Sequence, residues 1–275
     1  MSEWTNLALP NLPAEAAKAA SAGLKPLLRA DHKSYGMCCR NGPVFTNPKT
    51  NRTIVRMALC PGWQMAAQNL TQSVLLPMIK AGTLAGLFLG DELLLAGMSY
   101  DNFTAYAGFF RTNLPKDAIL YMNFGSSGIH YPKSAGGDSS GVWFWPGVPP
   151  MLDYLSMDLY EGVNVTQQTF NLTIFPTLRA HQQVLLVPQV ALGEQGTGPN
   201  EMSDADAESF LLAQLAEYWA WAQADTRVAG FMCFYLMNST GGPGATGGAQ
   251  GEPLLLAELK KIGRAIVGGN GSVST

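Results

Sequence analysis

The sequence predicts an α/β protein of the (β/α)8 TIM-type barrel class, and three observations predict it. Short apolar runs that read as buried strands alternate with helical stretches from one end of the chain to the other. Counting the runs gives about eight strands, the barrel number. The rival, a doubly wound open sheet, lacks its signature, because no glycine-rich phosphate loop follows the first strand. No linker or shift in composition breaks the alternation, so residues 1–268 read as one barrel domain and 269–275 as a flexible tail.

The elements follow in order. Trp4–Leu9 reads as a short strand ended by Pro10. Pro13–Ala22 is alanine-rich and helical, stopped by Gly23. Leu24–Arg29 is a strand, and Ala30–Thr53 is a loop rich in Gly, Pro and Asn, long enough to serve a function. Ile54–Cys60 fits either a strand or an early helix; if it is helical, the barrel lacks a strand at its N-terminus. Gln64–Ala81 is helical, with Pro77 bending or restarting it. Leu84–Gly90 is an unbroken apolar run and so a strand buried on both faces, the fourth if Ile54–Cys60 is a strand.

A helix over Phe103–Asn113 leads to a buried strand over Ala118–Phe124, then to an irregular excursion from Gly125 to Pro150. Leu152–Tyr160 is the sixth strand, Val165–Ala180 a helix, and Val184–Gln189 the seventh strand. Ser203 with Asp206 suits a capping box opening a helix that runs to Ala224. Val228–Leu236 is the last strand and Pro253–Val267 the last helix.

Composition narrows the function. With 275 residues, 47% apolar and 13% charged, the chain has a large buried core and is not of the disordered class. A net charge of −3 supplies no basic surplus, which argues against nucleic acid as a partner. No run of about 18 apolar residues exists to insert in a membrane. His32, His130 and His181 are scattered without metal-binding spacing, serine catalysis lacks its GxSxG elbow, and no cofactor motif is present. Oligomeric state is left open.

Cys38, Cys39, Cys60 and Cys233 have no CxxC spacing and read as buried or free thiols. Asn-x-Ser/Thr occurs at Asn51, Asn69, Asn102, Asn164, Asn171, Asn238 and Asn270. Roughly two would arise by chance, so the excess points to a glycoprotein, secreted or lysosomal. Met1-Ser-Glu-Trp is not a signal peptide, so any such leader lies upstream or has been trimmed.

The candidate chemistry lies at strand ends. Gly90-Asp91-Glu92 closes the buried Leu84–Gly90 run, where α/β barrels place their sites. Adjacent carboxylates divide into one protonated and one ionised group, since like charge and burial both raise a carboxyl pKa. Glu92 is therefore the candidate proton donor, with Asp91 its partner or an orienting group. A second constellation is Asp158, Tyr160 and Glu161 after the sixth strand, with Asp158 as base, nucleophile or hydroxyl ligand. Asn123 ends the fifth strand and suits a hydrogen bond to a ligand. Tyr131, Trp143 and Trp145 in the excursion, with Tyr235 at the last strand end, are candidate ligand-stacking aromatics, as is Trp63.

These features resemble the (β/α)8-barrel glycoside hydrolases, many of which carry an acidic proton donor at the end of the fourth strand. Gly90-Asp91-Glu92 is also similar to the Gly-Asp-Glu motif of the family 20 β-N-acetylhexosaminidases. The resemblance implies Glu92 as general acid/base and Asp91 as the residue orienting the substrate's acetamido group. The chain departs from the retaining barrel glycosidases at strand seven, where Pro188-Gln189 stands in place of a nucleophilic glutamate. Gln189 hydrogen-bonds but cannot attack as a carboxylate does. A barrel that cleaves a glycosidic bond through Glu92, or one that binds carbohydrate without cleaving it, is the expectation.

Overall fold

The computed structural model describes residues 7–40, 44–46, 53–125, 146–159, 162–188, 204–232 and 253–269. They fall in two compact units, one of Leu7–Leu155 with Thr177–Gln182, the other gathering Ser156–Pro176 and Gln183–Thr275.

The first unit opens with β1 (Leu7–Ala8), α1 (Pro13–Ser21) and β2 (Lys25–Arg29). Glu15 fastens the start of α1, its carboxylate accepting the backbone N–H of Asn11 at 2.8 Å and of Leu12 at 3.2 Å. Four short strands follow: β3 (Cys38–Cys39), β4 (Val44–Thr46), β5 (Thr53–Val55) and β6 (Ala58–Leu59). They pair antiparallel, β3 with β6 and β4 with β5, and a Cys39–Cys60 disulfide closes the segment.

Two expectations change here. Ile54–Cys60 is neither a barrel strand nor a helix, because its apolar residues are spent on two small antiparallel pairs. The loop expected over Ala30–Thr53 holds the partners of those pairs. Cys39 and Cys60 are likewise not free thiols; their bond leaves Cys38 as the free cysteine among the described residues. Consecutive cysteines point to opposite sides of a strand, so only one of Cys38 and Cys39 can face Cys60.

The chain then enters α2 (Trp63–Leu70), which passes through a π-helical turn, Thr71–Leu75, into α3 (Leu76–Lys80). Pro77 is the cause: it offers no N–H to the turn before it and its ring displaces a carbonyl, so the helix widens. The strand β7 (Gly86–Asp91) follows, then α4 (Tyr100–Asn113) and β8 (Ile119–Gly125). In this unit the parallel strands run in chain order, β1-β2-β7-β8. Residues Gly86–Gly90 are buried without a break, as a strand covered on both faces must be. On α4, Phe103, Tyr106, Ala107 and Phe110 repeat at helical spacing and are all buried. Arg111 ties the end of α4 down, donating to the carbonyls of Lys116, Ala118 and Met151 and to the Asp153 carboxylate.

Strand β9 (Tyr154–Asp158) carries the chain into the second unit. There α5 (Val163–Thr169) ends in another π-helical turn, Phe170–Ile174, again two residues before a proline, Pro176. The rest is β10 (Gln183–Leu186), α6 (Asp204–Ala224), β11 (Val228–Phe231) and α7 (Pro253–Gly269), with β10 and β11 parallel. Leu211 and Leu215 of α6 pack with Leu255, Leu259 and Ile262 of α7. Tyr218 and Trp221 stack on one another and are buried, and Trp219 packs edge-on to Phe231, so this aromatic group is packing.

Among the described residues, seven strands, most of them with helices between, make this an α/β fold of the barrel type, one strand short of eight, with β7 third in the series. No helix among the described residues is long and apolar enough to cross a membrane.

Candidate active site at the carboxyl end of β7

The site begins with an irregularity. Phe88 stands opposite Tyr121 and Asp91 opposite Asn123, so three steps along β7 match two along β8. Such a bulge re-aims the side chains that follow it. Gly90 makes it possible with φ 155, a conformation that L side chains rarely adopt, and a Cβ there would meet Leu93 at 2.7 Å and the Asp31 carboxyl carbon at 3.0 Å.

Past the bulge, Asp91 is exposed and Asn123 is buried at 2%. The Asn123 side-chain amide donates to Asp91 Oδ1 at 2.8 Å, and the Asn123 carbonyl accepts the Glu92 N–H at 2.9 Å. Glu92 has φ 49, and among the described residues it is the one non-glycine with a positive φ. That backbone costs roughly 1–3 kcal/mol and persists only where its surroundings over-determine it. The bond to Asn123 on one side and the Ala96 N–H donated to the Glu92 carbonyl at 2.8 Å on the other do so.

The Glu92 carboxyl is half-buried and turns toward the end of β8. Its Oε1 lies 2.7 Å from where a Cβ on Gly125 would stand, with Leu95 crowding the same space. Burial raises the Glu92 pKa, and the neighbouring Asp91 charge raises it further. Both effects act in the direction of holding the proton on Glu92 to higher pH.

Two residues at the end of β2, not foreseen from the sequence, join this site. Arg29 donates in a fork to Asp31, Nε to Oδ1 at 2.7 Å and Nη2 to Oδ2 at 3.1 Å. The Asp31 side chain is only 7% exposed. The hydrogen bond to Asp31 holds the Arg29 pKa up, and the charges of Asp31 and Asp91 add to it. Arg29 also lies over the Phe88 ring, 5.6 Å from its centroid. Their signal was available: the strand-end rule that selected Asp91 applies equally to β2. Behind them Cys38, its thiol pushed up to about 12 mainly by burial, bonds with the buried Tyr106.

The remaining candidates are placed as follows. Asp158 ends β9 in the second unit and is 8% exposed. Trp63, partly exposed, packs edge-on against Tyr106 and Phe109. His32 closes a local turn with Ser34, and His181 is exposed. Tyr131, Trp143, Trp145, Tyr160, Glu161, Gln189 and Tyr235 lie outside the described residues. No three His, Cys, Asp or Glu among the described residues could hold a metal ion together.

No known family profile matches the sequence, and no characterised protein matches it either. Its structure does find relatives. A GH113 β-1,4-mannanase superposes with a TM-score of 0.53 at 13% identity, over 92% of this chain and 78% of its own. The shared feature is the fold, an α/β fold of the (β/α)-barrel type. A GH2 β-galacturonidase from Eisenbergiella tayi aligns at a TM-score of 0.55 and 8% identity, over 96% of this chain and 46% of its own. The β-glucuronidase from Ruminococcus gnavus does so at 0.54 and 9%, over 94% and 44%. The chain therefore spans less than half the length of those two enzymes. The families given for these structures are GH113 and GH2; family 20, to which Gly90-Asp91-Glu92 is similar, is not among them.

Proposed function

We propose that this barrel is a glycoside hydrolase in which Glu92 is the general acid/base. The observation that carries the reading is the Glu92 carboxyl itself: half-buried, raised in pKa by burial and by Asp91, and fixed by a left-handed backbone at a strand's carboxyl end. Glycoside hydrolysis needs one carboxyl group that still holds its proton to give to the leaving oxygen, and one ionised group on the other side of the reaction.

In this reading Glu92 protonates the glycosidic oxygen as the bond to the anomeric carbon breaks, then takes a proton from the incoming water. Asp91, oriented by Asn123, positions a substrate acetamido group that attacks the anomeric carbon in place of a protein nucleophile. This substrate-assisted route suits a sequence that reads Pro188-Gln189 after the Val184–Gln189 run, with no glutamate there to serve as a nucleophile. Asp158 is the proposed second carboxylate of an inverting route. The structural relatives direct the choice of substrates to β-linked mannosides and β-glycuronides, and the Gly-Asp-Glu motif adds N-acetyl-β-hexosaminides.

Gln189 favours one second reading, a barrel that binds carbohydrate without turnover. Chromogenic members of those three substrate classes, offered to the wild type, Glu92→Gln and Asp158→Asn, separate the readings. Turnover that falls by at least about a hundredfold in Glu92→Gln supports the assignment. Turnover unchanged by the substitution ends it, and saturable sugar binding without turnover selects the second reading.

A further inference from the structure

We propose that the helical sequons are sites of N-linked glycosylation, and that the folded structure itself dictates that the glycan is attached before the helices form. Four of the seven Asn-x-Thr/Ser sites have described side chains: Asn69 in α2, Asn102 in α4, Asn164 in α5 and Asn171 in the π-helical turn after it. All four asparagines are exposed. A bulky, solvated glycan on each projects into water and displaces no core side chain.

The hydroxyl residue of each site behaves differently. Successive residues of a helix turn by about 100°, so residues two apart point about 200° away from each other. With asparagine outward, the threonine two residues on must face inward. Thr71 is fully buried, and so is its hydroxyl oxygen. The Thr104 hydroxyl oxygen is enclosed as well. Thr166 is 3% exposed, and its hydroxyl lies 3.1 Å from that of the buried Tyr218. The Thr173 hydroxyl donates back to the Thr169 carbonyl.

The acceptor motif works as a unit of asparagine and hydroxyl. In the folded chain the two are on opposite sides of a helix, and the hydroxyl is sealed in the core or bonded to the helix backbone. Only an extended or turning chain brings them together. The Cys39–Cys60 disulfide fits the same setting, since structural disulfides belong to oxidising compartments, where this modification is made. In the transfer, the asparagine amide nitrogen bonds to the anomeric carbon of a glycan carried on a lipid diphosphate. The carbon–oxygen bond to the diphosphate breaks, the lipid diphosphate leaves with the electron pair, and the amide proton passes to the transferase.

Two measurements test this. The full chain isolated from its own cells, treated with peptide N-glycosidase and mapped by mass spectrometry, should show asparagine converted to aspartate at one or more of positions 69, 102, 164 and 171. Unmodified asparagine at all four overturns the assignment of the sites. Separately, glycan-free chain from a bacterial host is given oligosaccharyltransferase and a lipid-diphosphate glycan, either folded or reduced and unfolded. Transfer to the unfolded chain at least tenfold above the folded chain is expected, with the gain lost in proportion in Asn102→Gln and Asn164→Gln. Equal transfer to folded and unfolded chain overturns the claim that folding closes the sites.

Discussion

Asn123 grips Asp91 and the residue after it with two different groups, its side-chain amide on the Asp91 carboxylate at 2.8 Å and its carbonyl on the Glu92 N–H at 2.9 Å. One buried residue of β8 thereby sets both the orientation of Asp91 and the unusual backbone of Glu92. Asn123→Asp keeps the shape but sets a buried carboxylate against Asp91. A loss of about 3 kcal/mol at neutral pH is expected, since a charged group loses its donor and meets like charge. The deficit shrinks in acid as the new carboxyl protonates, which urea unfolding at pH 4 and pH 7 will show.

Asp91→Asn tests the electrostatics. Removing the Asp91 charge lowers the Glu92 pKa, so the basic limb of the activity profile moves to lower pH. It remains above the ordinary carboxylate value, because burial is the larger cause. The sign for stability follows from a raised folded value. The favourable contribution is complete below the unfolded pKa and is lost as pH rises through the raised one. Glu92→Gln should flatten stability across that window, and thermal melts at a series of pH values measure it.

Gly125→Ala should act on the same carboxyl by sterics. The added methyl meets Leu95 Cδ2 at 2.5 Å and Glu92 Oε1 at 2.7 Å, so one of them must move. An overpacking cost of about 1–3 kcal/mol is expected. Activity should fall further than the lost stability explains, which assays well below the melting temperature can separate.

Arg29→Met removes the fork on Asp31. With the Asp31 side chain 7% exposed and Arg29 at 34%, the pair is shielded on one side only. The expected cost is about 2 kcal/mol, short of the roughly 3–5 kcal/mol for a fully buried pair. Asp31→Asn in the same background should recover part of it, giving a coupling measurable by a double-mutant cycle.

The Cys39–Cys60 bond joins residues 21 positions apart. Chain-entropy arguments put its contribution at about 3 kcal/mol, so the double serine variant should unfold at correspondingly lower denaturant. Cys38, with its thiol pushed up to about 12, should resist iodoacetamide at pH 8 in the folded protein and react once unfolded. Peptide mapping reads both states.

Much of the fold was legible in local sequence. Strand burial on both faces is written in the unbroken run before Gly90, and amphipathic spacing predicts α4 from Phe103, Tyr106 and Phe110. Both π-helical turns stand two residues before a proline, a cause visible in the chain. Ile54–Cys60 is ambiguous in sequence because an apolar run of that length fits several partners. Only the antiparallel pairing and the disulfide select among them.

The sequence by itself determined that the chain alternates strand and helix, and that Asp91 and Glu92 follow a buried strand. Those properties depend on neighbours a few residues away. What the tertiary structure decided is which distant groups share a space: Asn123 on Asp91 across 32 positions, Asp31 beside Gly90, and Gly125 against the Glu92 carboxyl. The physical reason is register. The bulge at Gly90 adds one residue to β7 against β8, and that single step turns Asp91 and Glu92 toward their partners. At Gly90-Asp91-Glu92, composition names the acids and the strand pairing gives them their geometry.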